Sequence, residues 1–491
     1  MGVANQRARR GGVAPILSIF LCTVGSDAAG AERMAFTTSS RDARRLFAQG
    51  LDAYDRAHPR QAVPLFDKAL QADPRFALAS LYRGLSGDSN PHIRKAAELA
   101  AGASEAERRL ILGWVAQLDS KLAEAVGHAE AAVEQRPAEP RLRLRLAQLY
   151  NATDRREEAV THLREATRAD PAFAPAYNFL GAVHIARGDF EQALTAREAY
   201  ARLLPSEAEP LQALAHTYQQ MRRFDRAIEH YTRALAVDPD YINVYRRRGD
   251  ARFLSGDVTG ARADYAAGLQ RAKGADRPGL LFATAFTYAE EGRPDDAARY
   301  YEQAIAIAEA EKESVMISSG YNALGRTLLE SGRLPEASAA YRKGHESAMR
   351  APDFTERDRL LWTGRYHHAR GRMLARIGEY DAAMEHAEWI RAALEKHGNP
   401  NQNYAESHQY LTGYILLEKG DHAGALAHLK KANTDDVFIK LLMARAHDGL
   451  NERDRAEQLM KEVANYGLGS VPASIARREA TRWLERKAAR P

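Results

Sequence analysis

APAYNFLGAVHIARGDFEQALTAREAYARLLP, residues 174–205, reads as two amphipathic helices joined by a turn. Apolar residues recur at intervals of three and four on both sides of Gly188, a residue that tolerates the positive φ a helix end needs. Pro205 cannot continue a helix and marks the end of the second one.

The same unit recurs along the chain. With Ala174 as position 1, eleven copies begin near residues 43, 106, 140, 174, 208, 242, 278, 318, 364, 406 and 437. Five neighbouring copies, from 106 to 242, keep a 34-residue spacing. Alanine at position 20, as in Ala193, sets the phase. The independent check is position 8, which is small in every copy: Gly50, Gly113, Ala147, Gly181, Ala215, Gly249, Ala285, Gly325, Gly371, Gly413 and Ala444. Position 24 is often aromatic, as in Phe66, Tyr231, Tyr265, Tyr301 and Tyr341. Small residues at 8, 20 and 27 let paired helices approach closely, and larger residues at 4, 7, 11 and 24 fill the space around them. Gly188, Gly256, Gly292, Gly332, Gly378 and Gly420 fall at the turn between the two helices. Such a unit cannot bury its apolar face alone, so the stack is the folding unit.

This in-phase pattern resembles the tetratricopeptide repeat family over roughly residues 43–470. The resemblance implies an all-α fold, a right-handed α-solenoid superhelix of 11–12 stacked helix-turn-helix repeats with a concave groove. Residues 43–105 are expected to hold one repeat plus an irregular helical segment, which resembles a degenerate twelfth repeat. Residues 106–275 form the regular array, and 278–470 hold longer, divergent repeats in which the proline at position 32 is lost. Residues 471–491, with six basic and two acidic side chains, read as a polar capping helix and tail.

Residues 1–31 carry a three-part pattern: Arg7, Arg9 and Arg10, then a mostly apolar run from Val13 to Val24, then Ala29-Gly30-Ala31. That pattern predicts an export signal cleaved after Ala31, a linker over 32–42 and a periplasmic mature protein. The competing reading takes Met34 as the first residue of a cytoplasmic regulatory protein. Cys22 is the single cysteine, so an intramolecular disulfide and a cysteine-based metal site are excluded. A net charge of +5 from 70 basic and 65 acidic residues argues against nucleic acid as a partner. No run of 18 apolar residues is present, so no transmembrane helix is expected after signal cleavage.

Within the family, the first helix of each repeat lines the groove through positions 2, 5, 6, 9, 12 and 13. Carried onto this sequence, those positions nominate Arg141, Arg145, Gln148, Asn178, Phe179, Gln212, His216, Gln219, Arg246, Arg247, Asp250, Phe286, Asn322, Arg326, Arg372, Tyr410 and Tyr414. Asn, Gln and Arg on a concave face suit a peptide backbone or a carboxylate. The strip Arg141, Arg143, Arg145, Arg155 and Arg156 is either an attractor for an acidic partner or an ordinary solvated face. A subtype of the family clamps chaperone C-termini, but Leu144, Phe179, Glu209 and Ala213 stand where its basic and amide residues belong. That activity is therefore not expected.

Phosphate-loop, dinucleotide and zinc-protease motifs are all missing. So is the G-x-S-x-G nucleophile motif. His367 and His368 are adjacent, and neighbouring helical residues point apart. The sequence therefore predicts a non-catalytic scaffold for protein or peptide partners, with no cofactor and no metal. Self-association through exposed repeat ends is allowed.

Overall fold

The computed structural model describes residues 36–87, 89–397, 406–467 and 470–489. The predicted export signal and residues 32–35 of the predicted linker lie outside the described residues. Twenty-five α-helices and no strand occur among the described residues. The first pairs are α1 (Arg41–Asp55) with α2 (Pro59–Ala72), and α3 (Ala77–Ser86) with α4 (Asn90–Leu99). Next come α5 (Glu105–Leu118) with α6 (Leu122–Gln135), and α7 (Pro140–Ala152) with α8 (Arg156–Ala169). Then follow α9 (Ala174–Arg187) with α10 (Phe190–Leu203), α11 (Ala208–Gln220) with α12 (Phe224–Val237), and α13 (Ile242–Leu254) with α14 (Val258–Arg271). Longer pairs come after them: α15 (Arg277–Glu291) with α16 (Pro294–Glu311), α17 (Ser314–Glu330) with α18 (Leu334–Arg350), and α19 (Glu356–Arg376) with α20 (Tyr380–His397). The array ends with α21 (Ser407–Lys419) and α22 (His422–Leu429), α23 (Val437–Gly449) and α24 (Arg453–Ala464), and the unpaired α25 (Val471–Ala488).

The side-chain logic of the repeat is visible in the contacts. A Cβ built on Gly249 would stand 2.3 Å from Tyr265 Cε1, and one on Gly50 would stand 2.6 Å from Phe66 Cε1. At Gly50, Gly249 and Gly325, position 8 is small because the ring at position 24 lies on it. All six turn glycines have positive φ, Gly188 at 79° and Gly420 at 90° among them. Elsewhere the same turn is made by Ala57, Ser120, Asp154, Arg222 and Asn451, which also adopt positive φ. An L-residue there costs about 1–2 kcal/mol, so packing of the two helices overrides local preference.

The segment after residue 77 is a complete helix pair, not an irregular stretch. Gly84 and Ala96 stand at positions 8 and 20 counted from Ala77, and Gly84 lies against Ile93. The short turn with Pro91 on the far side hid this phase.

Three long-range links curl the solenoid. Arg141 on α7 pairs with Asp55 at the end of α1. The turn after α1 also reaches the start of α11, where His58 Nε2 lies 2.8 Å from Glu207. At the other end, α25 does more than cap α24. It folds back onto α15 and α17, burying Val471, Ile475, Ala476 and Ala480. Arg477 of α25 donates two bonds to Glu290 at 2.6 and 3.2 Å, and Arg478 reaches the Ala289 carbonyl at 3.2 Å. The expected capping helix thus buries its apolar face against α15 and α17 as well as against the last repeat.

Candidate functional site

The first helices of the pairs, with α10, bring five of the nominated residues into one cavity of about 440 Å³. Arg141, Arg145 and Gln148 come from α7, and Asn178 and Phe179 from α9. Residues outside the nomination complete the wall: Tyr54 and Asp55 of α1, Tyr82 of α3, Trp114 of α5, Arg197 and Tyr200 of α10, and Glu209 of α11. Their signal was legible. Tyr54 and Trp114 occupy positions 12 and 9 of their copies, which the same rule points at the groove. Arg197 occupies position 24, where other copies carry an aromatic ring.

The electrostatics of this cavity are uneven. Of the arginine strip, Arg143 pairs with Glu165, Arg155 with Glu158 at 3.0 Å, and Arg156 with Asp154 at 2.8 Å. Arg141 is held by Asp55 and by Glu139 at 3.6 Å. Arg145 differs, because its guanidinium lies 3.5 Å over the Trp114 ring and its Nη2 donates to Gln117 Oε1 at 2.5 Å. Burial pulls its pKa down to about 9, with Tyr54 and Tyr82 opposing. Burial raises the carboxyls of Asp55 and Glu209 above their ordinary values, although Arg141 counters it at Asp55, and the Tyr200 hydrogen bond and Arg197 counter it at Glu209.

In the middle of the solenoid the nominated residues are largely engaged with neighbouring side chains. Gln212 is buried, and Gln219 Oε1 accepts from the Tyr231 hydroxyl at 2.9 Å. His216 contacts Gln220, and burial, with Arg247 and Arg197, lowers its pKa to about 4. Arg246 pairs with Asp250 at 2.8 Å, and Asp250 accepts from Tyr265 at 2.9 Å. Arg247 stays half-buried beside Tyr231, and Phe286 packs on Tyr301.

In the last third, Asn322, Arg326, Arg372 and Tyr410 line a second cavity of about 300 Å³ with His368. One nomination there needs correction, and two others are tied up within the wall. Tyr414 is fully buried and takes a bond from Arg376 Nε at 2.8 Å, so it belongs to the core. Arg326 and Arg372 are also buried, because both turn toward Glu330, at 3.0 and 3.5 Å. A carboxylate placed at the end of α17 converts these groove positions into a structural ion cluster.

Family models described as tetratricopeptide repeat match residues 47–107, 117–183, 174–199, 208–241, 283–350 and 416–472. The chain belongs to the tetratricopeptide repeat superfamily. Membership and the stacked helical pairs make this repeat protein an interaction scaffold. It is 28% identical over 142 residues to the Protein O-mannosyl-transferase TMTC1 of Mus musculus, covering 28% of this chain and 15% of that protein. It is 25% identical over 211 residues to the Superkiller complex protein 3 of Mus musculus, covering 41% and 14%. The repeat chain thus spans only about one seventh of these relatives' length. Among solved structures, a tetratricopeptide repeat protein from Parabacteroides merdae aligns at 15% identity and a TM-score of 0.36, over 57% of this chain and 98% of that one. MamA from Desulfovibrio magneticus RS-1 aligns at 17% and 0.31, over 34% and 95%.

Proposed function

We propose that this repeat protein is a non-catalytic adaptor that holds peptide segments or partner subunits on its concave face, acting in the cell envelope after export. The observation carrying the binding reading is the cavity at Arg145, where Gln148, Asn178 and several aromatic rings converge from successive repeats. Amides can bond a peptide backbone, and rings supply contact area at low entropic cost. The export part rests on the pattern of residues 1–31.

The test is affinity purification of the C-terminally tagged protein from its native cells, with mass spectrometry of its N-terminus and of co-purifying proteins. A chain starting at Glu32 with envelope proteins attached supports the proposal. A start at Met34 or Ala35 with cytosolic partners overturns the location and favours a cytoplasmic regulator. A Gln148→Ala, Asn178→Ala double variant should lose most of the captured partner, and full capture by this variant would remove the cavity from the binding surface.

A further inference from the structure

We infer that the cavity around Arg145 is a receptor site for a compact carboxylate attached to an aromatic or aliphatic body, with Arg145 as its anion anchor. This rests on the concave face being a binding surface, but not on the partner being a protein.

The first observation is a guanidinium without a counter-charge. Arg145 is 6% exposed, borders the cavity, and has no carboxylate partner among the described residues. Its Nε meets no acceptor. A buried cation without a counter-charge is costly, because desolvation is not repaid by an ion pair. Its neighbours Gln117 and Trp114 orient the guanidinium plane without neutralising it. An anion arriving on that plane would complete a site that is already built.

A second, independent observation lies on the same wall. Arg197 is 7% exposed, and its Nε and Nη1 also lack acceptors. It occupies the space over Gly181, where a Cβ would stand 2.6 Å from Nε. Glu209 attracts it, yet the Glu209 carboxylate accepts instead from Asn178 at 3.4 Å and from the Tyr200 hydroxyl. Of the three guanidiniums around this cavity, Arg141 is held by Asp55 and Glu139 and Arg197 is attracted by Glu209, whereas Arg145 has no carboxylate within ion-pair distance among the described residues.

The remaining wall sets the rest of the ligand. Trp114, Leu144, Phe173 and Phe179 give an apolar surface beside the anchor. About 440 Å³ suits a small ligand or a single terminal residue. The Arg141–Asp55 and His58–Glu207 links tie the first repeat to the fourth and sixth, closing a ring around the site. A compact acid fits inside such a ring better than a long strand does. Free small acids and the last residue of a polypeptide present the same chemistry.

The test titrates the full chain with N-acetylphenylalanine and with a hexapeptide ending in phenylalanine. Each is matched by its C-terminal amide, and binding is read by calorimetry and by Trp fluorescence. The acid should bind at least about tenfold more tightly than the amide, as expected for a charge-assisted bond to a guanidinium. Binding by the free amino acid derivative assigns the site to small acids, and binding by the peptide alone assigns it to chain ends. Arg145→Gln should weaken either by at least about tenfold while leaving Tm unchanged or higher, because it removes an unpaired buried charge. Arg145→Lys should recover part of the affinity. Equal binding of acid and amide, or a folded Arg145→Gln protein with undiminished affinity, overturns the inference. Loss of acid binding with partner capture intact would leave this site standing apart from the adaptor reading, and loss of partner capture alone would sink only the latter.

Discussion

Replacing Glu330 by alanine removes a carboxylate shared by three guanidiniums. Arg326 lies 3.0 Å from it, Arg372 lies 3.5 Å away, and Arg376 pairs with its second oxygen. The Glu330 side chain is 6% exposed, and those of Arg326 and Arg372 are 10% and 4% exposed. Burial alone would raise the Glu330 pKa, but Arg326, Arg376 and Arg372 outweigh it and hold it below the ordinary glutamate value. Deleting the carboxylate strands two buried cations. The expected loss is about 3–5 kcal/mol. That corresponds to roughly two to three and a half powers of ten in the folding equilibrium. Arg376 adds less, since it is 24% exposed and keeps the Tyr414 hydroxyl. In a repeat array the loss concentrates where the contacts are, so α17, α19 and α21 should open first. Urea unfolding combined with native-state hydrogen exchange on those helices measures it. The Glu330 contribution is fully present above the ordinary glutamate pKa and is lost as pH falls through its lower folded value, so the variant's deficit should shrink in acid. A loss below about 1 kcal/mol at neutral pH, the scale of an exposed ion pair, would refute the reasoning.

Gly249→Ala should destabilise despite the roughly 1 kcal/mol helix-propensity gain, because the new Cβ meets Tyr265 at 2.3 Å. Gly113→Ala, with its nearest neighbours at 3.4 Å, should be neutral or stabilising, and paired thermal melts decide between the two outcomes. Arg477→Ala should release α25 from α15, visible as faster exchange in residues 471–488, whereas unchanged protection would mean that the buried Ile475 and Ala476 face holds the helix by itself. His216 and His367 each have a pKa lowered to about 4 by burial, aided by nearby arginines for His216 and by His386 and His345 for His367. Both are neutral in the fold above that value, so stability should fall as pH drops from about 6.5, the unfolded histidine value, toward 4. A His216→Gln, His367→Gln protein should lose less stability over that window in urea titrations.

The sequence by itself determined the repeat and its phase. Small residues at position 8, rings at position 24 and turn residues between them are local in spacing, and local spacing is what a helix converts into a face. It also named much of the cavity, since Arg141, Arg145, Gln148, Asn178 and Phe179 follow from that phase, and Trp114 and Tyr54 obey the same rule. Which of these side chains stay unpaired was decided only by the tertiary structure. Arg141 finds its carboxylate 86 residues away, and Arg477 finds Glu290 across 187 residues. Glu330 gathers Arg326, Arg372 and Arg376 into the core while Arg145 is left without a counter-charge. No periodicity records such pairings, because they depend on how far the stacked repeats curl and on which surfaces that curvature brings face to face.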